Sequence, residues 1–340
     1  AMISVILCLE MIDTWQTWLI LRFFTGVAVC GLYAVIESWL TSQSTADSRG
    51  RVLASYTFIT LTAMTVGQLL INVGPIENSV PFTLAALFMA LAIIPVGLTR
   101  RMAPAPAPAT QGGFKLLYLR SSSAFLGALL SGLVMGSFWS LGAVFAGRDG
   151  QPQLEVTWFM SVAIAGGALL QYPLGWLSDR IDRRKVLVML SIAAALSSVA
   201  VALSTNQPWH LAAVFMFGAT AMPIYAIALA TAADVCTSEE FVTMGTAVLL
   251  LHSIGAVVAP IALGQVMSVF GAASLFWSFC ILLTLFAGTF YLLTRKPRVV
   301  TVEEQMPFSS VASEVAPTSF ELDPRALELE ETDIDSTPPA

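Results

Sequence analysis

Apolar stretches of about 20 residues, each long enough for a helix to cross the roughly 30 Å hydrocarbon layer of a membrane, recur along the chain. Short polar segments separate them. The pattern predicts an all-α polytopic membrane protein with nine full transmembrane helices and one partial helix. The predicted spans are 18–40, 52–73, 81–99, 123–146, 156–177, 186–204, 209–233, 243–268 and 274–294, and the partial helix is 1–12.

Two polar segments divide this chain into parts. Residues 100–122 begin with alternating proline and alanine, which blocks helix formation and favours extended polyproline geometry. We expect a linker there, between a remnant of an N-terminal helical bundle (1–99) and a C-terminal six-helix bundle (123–295). Residues 296–340 are rich in Glu, Ser, Thr and Pro, so an acidic disordered tail is expected. Because the partial helix is too short to span, we expect the chain to be an N-terminally truncated fragment.

Composition agrees with the membrane pattern. The chain is 56% apolar and 11% charged, whereas an ordinary soluble domain is about 25% charged. The net charge of −6 comes from the tail, since residues 299–340 hold ten acidic residues and one basic residue. The overall charge therefore carries no information about a substrate.

A basic turn at 178–185 connects two of the predicted spans. If this turn is cytoplasmic, every second connection must be cytoplasmic too. Those connections hold thirteen Lys and Arg residues near the membrane, and the opposite connections hold only Arg148. Basic connections mark the cytoplasmic side. The chain is therefore predicted to be a multi-pass protein whose C-terminus, linker and tail are cytoplasmic.

The same turn carries candidate gate chemistry. Gly175 allows a neighbouring helix backbone to approach closely. Asp179 follows the span and could accept hydrogen bonds from free N–H groups at another helix N-terminus. Arg180, Arg183 and Arg184 can form forked hydrogen bonds with carboxylates. These residues would form a latch between helices; the alternative is a basic loop that only sets topology.

The residues of this turn also resemble a family motif. Gly175-x-Leu177-Ser178-Asp179-Arg180-x-Asp182-Arg183-Arg184 resembles the loop signature of the major facilitator superfamily, Gly-x-Leu-Ala-Asp-Arg-x-Gly-Arg-Arg/Lys, with Asp182 in place of Gly. In that family the signature lies between spans two and three and recurs between spans eight and nine. The resemblance implies spans four to twelve of a six-plus-six arrangement, preceded by the end of span three. It further implies a transporter in the bacterial cytoplasmic (inner) membrane.

A second run opens the first full span. Arg22-Phe23-Phe24-Thr25-Gly26 resembles the family's fourth-span motif Arg-x-x-Gln-Gly. An arginine within a span is costly and by default functional; alternatively, Arg22 lies near the outer end and extends to water. Helical spacing places Arg22, Tyr33 and Glu37 on one face. With the tract around the basic turn, residues 33–39 resemble the poorly characterised YcaD-like bacterial branch of the family.

The resemblance selects candidate path and gate residues. Spans four, seven and ten line the central path of the family, so Arg22, Tyr33 and Tyr225 are path candidates. His252 could exchange protons near neutral pH, or it could be a hydrogen-bonded packing residue. Glu37 and Asp234 end the repeat-related spans four and ten, and Asp234 is predicted to pair with an arginine of the basic turn. The gate candidates are Glu37, Gly175, Asp179, Arg180, Arg183, Arg184 and Asp234.

Two further predictions concern helix geometry. Gly132 and Gly136, four residues apart, should give their helix a close-packing face. Pro223 should bend its span near Tyr225.

The motifs restrict the function. We find no nucleotide-binding loop, metal-ligand cluster or catalytic motif, so neither an enzyme, nor a cofactor, nor a nucleic-acid partner is expected. The main hypothesis is a secondary transporter that moves a small solute by alternating access, with protons as coupling partner. Efflux is favoured because few fixed charges lie along the path. The alternative is a non-transporting sensor or scaffold that signals through the acidic tail.

Overall fold

The chain folds into a set of apolar helices. A computed structural model describes residues 2–11, 14–44, 46–75, 79–98, 113–204, 207–295, 297, 300–308, 320 and 323. Most of the predicted linker and most of the predicted tail lie outside these residues. The helices are α1 Met2–Met11, α2 Trp15–Gln43, α3 Ala46–Leu70, α4 Val80–Leu98, α5 Phe114–Arg120, α6 Ser122–Ala146, α7 Gln153–Ser178, α8 Arg183–Leu203, α9 Gln207–Ala221, α10 Pro223–Ala233, α11 Ser238–Phe270 and α12 Ser274–Thr294.

Each predicted span coincides with a helix or with a pair of helices. By length and composition, eight segments of the described residues are long and apolar enough to cross a membrane, and α9 and α10 together form one of them. The predicted span 81–99 is α4, whose apolar part Val80–Pro95 is shorter. The predicted partial helix is α1. The all-α prediction is confirmed.

The span formed by α9 and α10 is interrupted where a bend was predicted. Helix α9 ends at Ala221, Met222 lies in a turn, and Pro223 is the first residue of α10. Proline suits the first position of a helix because its missing N–H would have no partner there. The interruption at Met222 lies three residues before Tyr225.

Helices α6 to α12 pack around a common core. The main helix pairs are α6 with α11, α7 with α9, and α8 with α12. Aromatic rings fill the centre, where Phe138, Phe145, Phe159, Phe217, Phe276 and Phe279 are buried and in mutual contact. This bundle positions the candidate site residues that follow Ser121.

Glycines allow the closest of these helix contacts. A Cβ added to Gly132 would overlap the backbone of His252, and one added to Gly136 would overlap Ala256. Both contacts bring α6 against α11. The predicted close-packing face of α6 is therefore present, and it brings His252 next to α6.

The N-terminal helices pack less extensively. Helix α1 contacts α2 and α4, and α3 contacts α7 of the C-terminal bundle. Large apolar side chains of α2, such as Phe23 and Phe24, are exposed. The contact between α3 and α7 therefore joins the N-terminal part to the bundle.

Candidate functional site: a charge cluster and a buried histidine

The basic turn is shaped by its own acidic residues. Helix α7 ends at Ser178 and α8 begins at Arg183. Asp182 caps α8, since its carboxylate accepts a hydrogen bond from the Arg184 backbone N–H at 2.9 Å. Its backbone angles, φ −54° and ψ 118°, are accessible to any residue. Asp182 therefore replaces the glycine of the family signature without a need for a special backbone conformation.

Arg183 is the buried centre of a charge cluster. Its guanidinium lies 3.0 Å from the Asp179 carboxylate and 3.3 Å from the Asp234 carboxylate. The side chain of Arg183 is 1% exposed and that of Asp234 is 6% exposed. Asp179 follows α7, Arg183 opens α8 and Asp234 follows α10. We call these three residues the turn cluster, and they connect the ends of three helices.

The structure thus contains the ion pair predicted between Asp234 and the basic turn, and Arg183 is the partner. The other two arginines make different contacts. Arg180 lies over the Trp176 ring, with its guanidinium carbon 3.6 Å from the ring centroid. Arg184 pairs with Asp182 at 2.9 Å and donates to the Leu293 carbonyl at 3.0 Å. The role of these residues as a latch stays a prediction.

A cavity lies directly beside the turn cluster. Its volume is about 290 Å³, and Arg183, Arg184 and Asp234 form part of its wall. Gln305 and Val300, from the start of the predicted tail, form another part. An exposed ion pair between Arg120 and Glu240, 3.0 Å apart, lies on the same side of the bundle. The cavity is therefore lined by helix ends and by the start of the tail.

A second polar cluster lies within the bundle. The Ser131 hydroxyl is 2.9 Å from Nδ1 of His252, and the Tyr225 ring meets the imidazole edge to face, with centroids 5.0 Å apart. Ser131 also donates to the Ala128 carbonyl at 2.7 Å. A serine hydroxyl has one proton to donate. If that proton is used for the Ala128 carbonyl, the Ser131 oxygen accepts from Nδ1–H of His252, and Nε2 is then the proton acceptor of that ring.

The structure therefore brings two of the predicted path residues, Tyr225 and His252, into contact. They come from α10 and α11, and Ser131 comes from α6. Sequence reasoning did not select Ser131. Ser131 directly precedes Gly132, one of the two glycines of the predicted close-packing face. This position could have indicated that Ser131 lies near a neighbouring helix.

The candidates on α2 differ in burial along one helix face. Arg22 is exposed and lies over the Trp18 ring at 4.6 Å from its centroid. Tyr33 is half-buried, and Glu37 is fully buried. Glu37 accepts a hydrogen bond of 3.0 Å from the Tyr56 hydroxyl on α3. The path role of Arg22 and Tyr33 stays a prediction.

A polar contact at the opposite end of the bundle was not anticipated. The Gln153 amide donates to the Gly74 carbonyl at 3.1 Å, and the Thr157 hydroxyl donates to the Asn72 side chain at 3.1 Å. Gln153 and Thr157 lie one helical turn apart at the start of α7, whereas Gly74 and Asn72 follow α3. This contact, which we call the α3–α7 clasp, connects the two parts of the chain.

The fold and these sites define a polytopic helical membrane protein with a charged turn at one end of a six-span bundle. Residues 124–325 match the family model of the Major Facilitator Superfamily. The match covers more than half of the chain, and the chain belongs to this superfamily.

Several curated proteins are similar to the chain over most of its length. The uncharacterized MFS-type transporter YcaD of Escherichia fergusonii is 29% identical over 254 residues, which cover 74% of this chain and 65% of that protein. YcaD of Escherichia coli O17:K52:H18 is 30% identical over 253 residues, with the same coverage of 74% and 65%. The match thus spans about two thirds of the length of these relatives. It agrees with the YcaD-like resemblance of the sequence.

A solved structure supports the fold. The crystal structure of an Escherichia coli fucose:proton symporter variant, FucP, aligns with a TM-score of 0.50, covering 85% of this chain and 80% of that chain. The two sequences are 14% identical. This similarity concerns the fold alone.

Proposed function

We propose that the protein is a secondary transporter that moves a small solute across the bacterial cytoplasmic membrane by alternating access, with the basic turn on the cytoplasmic side. Superfamily membership supports the transporter class. The observation that carries the proposal is the turn cluster, in which a buried arginine binds carboxylates from the ends of two other helices.

The turn cluster has the properties of a conformational latch. A buried ion pair adds little net stability, but loss of one partner leaves an uncompensated charge and costs about 3–5 kcal/mol. Helices joined in this way separate only when the charges gain water or new partners. Such an element has two discrete arrangements, and a bound solute can shift the balance between them.

The buried histidine cluster supports proton coupling. His252 has Nδ1 engaged by Ser131, so a proton can be exchanged only at Nε2. An imidazole changes charge within the physiological pH range more readily than any other side chain. Tyr225, which packs on this ring, lies on the span that corresponds to a path-lining span in the family. We assign His252 as the coupling residue and Tyr225 as its neighbour on the solute path.

Efflux is the favoured direction. Helices α6 and α10, which surround His252, contain no charged residue. A path without fixed charges suits an amphiphilic solute better than a strongly charged nutrient, because a buried polar group needs a matching partner.

The test is solute-dependent proton movement in vesicles. The full-length protein is reconstituted with a pH-sensitive dye inside, and a panel of amphiphilic solutes is added. The wild type should give proton flux with at least one solute. The His252→Gln variant should lose the proton flux but retain counterflow of the same solute, because binding and conformational exchange persist.

The controls separate the parts of the proposal. His210→Gln, which changes the other histidine of this chain, should behave as wild type. Equal proton flux in His252→Gln and wild type would remove the coupling assignment. Absence of solute counterflow in the wild type across the panel would contradict the transporter proposal.

A further inference from the structure

The start of the acidic tail lies on the turn cluster. The Met306 N–H donates to the Asp234 carboxylate at 3.1 Å, and the Phe308 N–H donates to the Asp179 carboxylate at 3.1 Å. The Met306 carbonyl accepts a hydrogen bond from Arg183. All three residues of the turn cluster therefore bind backbone groups of residues 306–308. This part of the tail, for which disorder was expected, is ordered by contacts that composition does not reveal.

These hydrogen bonds have the pattern of a bound extended peptide. The two N–H donors belong to alternate residues, 306 and 308, as on one edge of an extended strand. Each bond has a charged partner, and charge-assisted hydrogen bonds are stronger than neutral ones. The site therefore recognises backbone, and any sequence preference must come from the side chains.

The side chains of the segment supply that preference. A Cβ added to Gly175 would overlap the Phe308 ring, so the ring occupies the space that the glycine leaves on α7. Phe308 packs against the main core of the bundle, and Met306 packs against a second buried cluster that includes Leu117 and Phe241. The segment thus joins two apolar clusters across the turn cluster.

The residues before the segment prepare its conformation. Glu304 accepts hydrogen bonds from the Thr301 backbone N–H and from the Thr301 hydroxyl, both at 2.9 Å. These donors hold the pKa of the Glu304 carboxyl below its usual value. Pro307 restricts the backbone between the two N–H donors and lowers the entropy lost on docking. A pre-shaped segment binds at a lower cost than a fully flexible one.

A later tail residue returns to the bundle. Phe320 is fully buried, and a Cβ added to Gly245 on α11 would overlap its ring. Two aromatic residues of the tail thus occupy positions next to glycines of the bundle. The tail contact at residues 305–308 is therefore not isolated.

We propose that Gly175, Asp179, Arg183 and Asp234 form a peptide-docking site whose resident ligand is the chain's own segment 305–308. Docking holds the ends of α7, α8 and α10 together. It also occupies the Asp179 carboxylate, which is predicted from the sequence to bind free N–H groups of another helix. The tail and that helix end then compete for one acceptor. The tail is thereby a restraint on the latch, and this consequence rests on the proposed function.

Distance measurements test docking without a transport assay. Spin labels are placed at Glu303→Cys on the tail and Lys185→Cys on α8, both exposed. The full-length protein is used, with its native cysteines, including the four of this chain, replaced by serine. The wild-type tail should give one narrow, short distance. Gly175→Leu, which fills the Phe308 position, should give a long, broad distribution. Gly288→Leu is the matched control, because nothing lies within 4 Å of a Cβ at Gly288.

A second variant and a competing peptide keep the test decisive even if Gly175→Leu misfolds. Phe308→Ala removes the ring but leaves every residue of the bundle unchanged, and it should also broaden the distribution of label distances. A synthetic peptide of residues 300–310 in excess should displace the wild-type tail, and the same peptide with Phe308→Ala should not. A broad wild-type distance, or equal effects of Gly175→Leu and Gly288→Leu, would overturn the docking site.

A transport measurement distinguishes docking of the tail from its proposed restraint on the latch. Phe308→Ala should raise the turnover of solute counterflow a few-fold, because the competitor for Asp179 is gone. Unchanged turnover with a displaced tail would overturn the restraint while docking stands. Absence of counterflow in the wild type would instead count against the proposed function, and the label distances would still decide docking.

Discussion

At the scale of single residues, Arg183 and Arg180 show how neighbouring arginines of one turn take different roles. Arg183 is buried and needs carboxylates, because an ion removed from water without partners is strongly disfavoured. Arg180 is exposed and stacks on Trp176, a contact that leaves its charge in water. We therefore expect substitutions at the two positions to differ in effect.

The first prediction concerns the ion pair between Arg183 and Asp234. Asp234→Asn leaves Arg183 with Asp179, whose side chain is 33% exposed. The free energy of unfolding of the bundle should fall by about 3 kcal/mol, at the lower end of the range for a broken buried pair. Denaturant unfolding in detergent measures the change.

Glu240→Gln is the control for this substitution. Glu240 pairs with Arg120, but the pair is exposed. Exposed pairs contribute about 0–1 kcal/mol, and glutamine can retain the capping contact at the start of α11. Equal losses in Asp234→Asn and Glu240→Gln would show that burial of Arg183 does not determine the energy.

The second prediction concerns the tautomer of His252. Ser131→Ala removes the acceptor of Nδ1–H, so the proton should redistribute between the two ring nitrogens. With only two histidines in the chain, ¹⁵N NMR of histidine-labelled protein resolves this change. Ser137→Ala is the control on the same helix, because Ser137 is also buried and donates to the Leu133 carbonyl. A spectrum of Ser131→Ala identical to wild type would contradict the assigned hydrogen bond.

At the scale of helices, the sequence was sufficient for local features. Apolar length located the helices, Pro223 located the interruption before α10, and Gly132 and Gly136 located the close-packing face of α6, although not the helix that packs on it. The cap by Asp182 could also have been predicted, because Asp is a preferred N-cap residue. The contact between Asn72 and Thr157 could not, since no charge or motif marks these two residues and only tertiary packing brings them together. The docking of residues 305–308 could not be predicted for the same reason.

The third prediction concerns the α3–α7 clasp. Gln153→Ala removes the amide that binds the Gly74 carbonyl, so the backbone that follows α3 should open more often. Hydrogen exchange of residues 71–74 should become faster, since exchange reports such local opening. Gln151→Ala is the control, because Gln151 is exposed and precedes α7. Unchanged exchange in Gln153→Ala would show that the clasp does not hold α3.

At the scale of the whole molecule, different contacts hold the two ends of the bundle. The turn cluster and the docked tail hold one end, and the α3–α7 clasp holds the other. Alternating access requires that contacts at one end open while those at the other end close. A solute that lengthens the label distance at the tail and slows hydrogen exchange at residues 71–74, or does the reverse of both, would agree with this arrangement.

The last prediction is the orientation of the molecule in the membrane, which determines which end the solute meets from the cytoplasm. The sequence predicts thirteen basic residues near the membrane in the connections on the side of the basic turn, and Arg148 alone in those on the other side. Arg148 packs over Phe145, with its guanidinium carbon 3.7 Å from the ring centroid. A membrane-impermeant maleimide should therefore label Gln151→Cys in intact cells, whereas Lys185→Cys and Glu303→Cys should react only after permeabilisation. The reverse result would place the turn cluster outside the cell and remove its assignment as a cytoplasmic gate. Such a result would leave the docking of the tail unchanged, because the docking rests on contacts and not on sidedness.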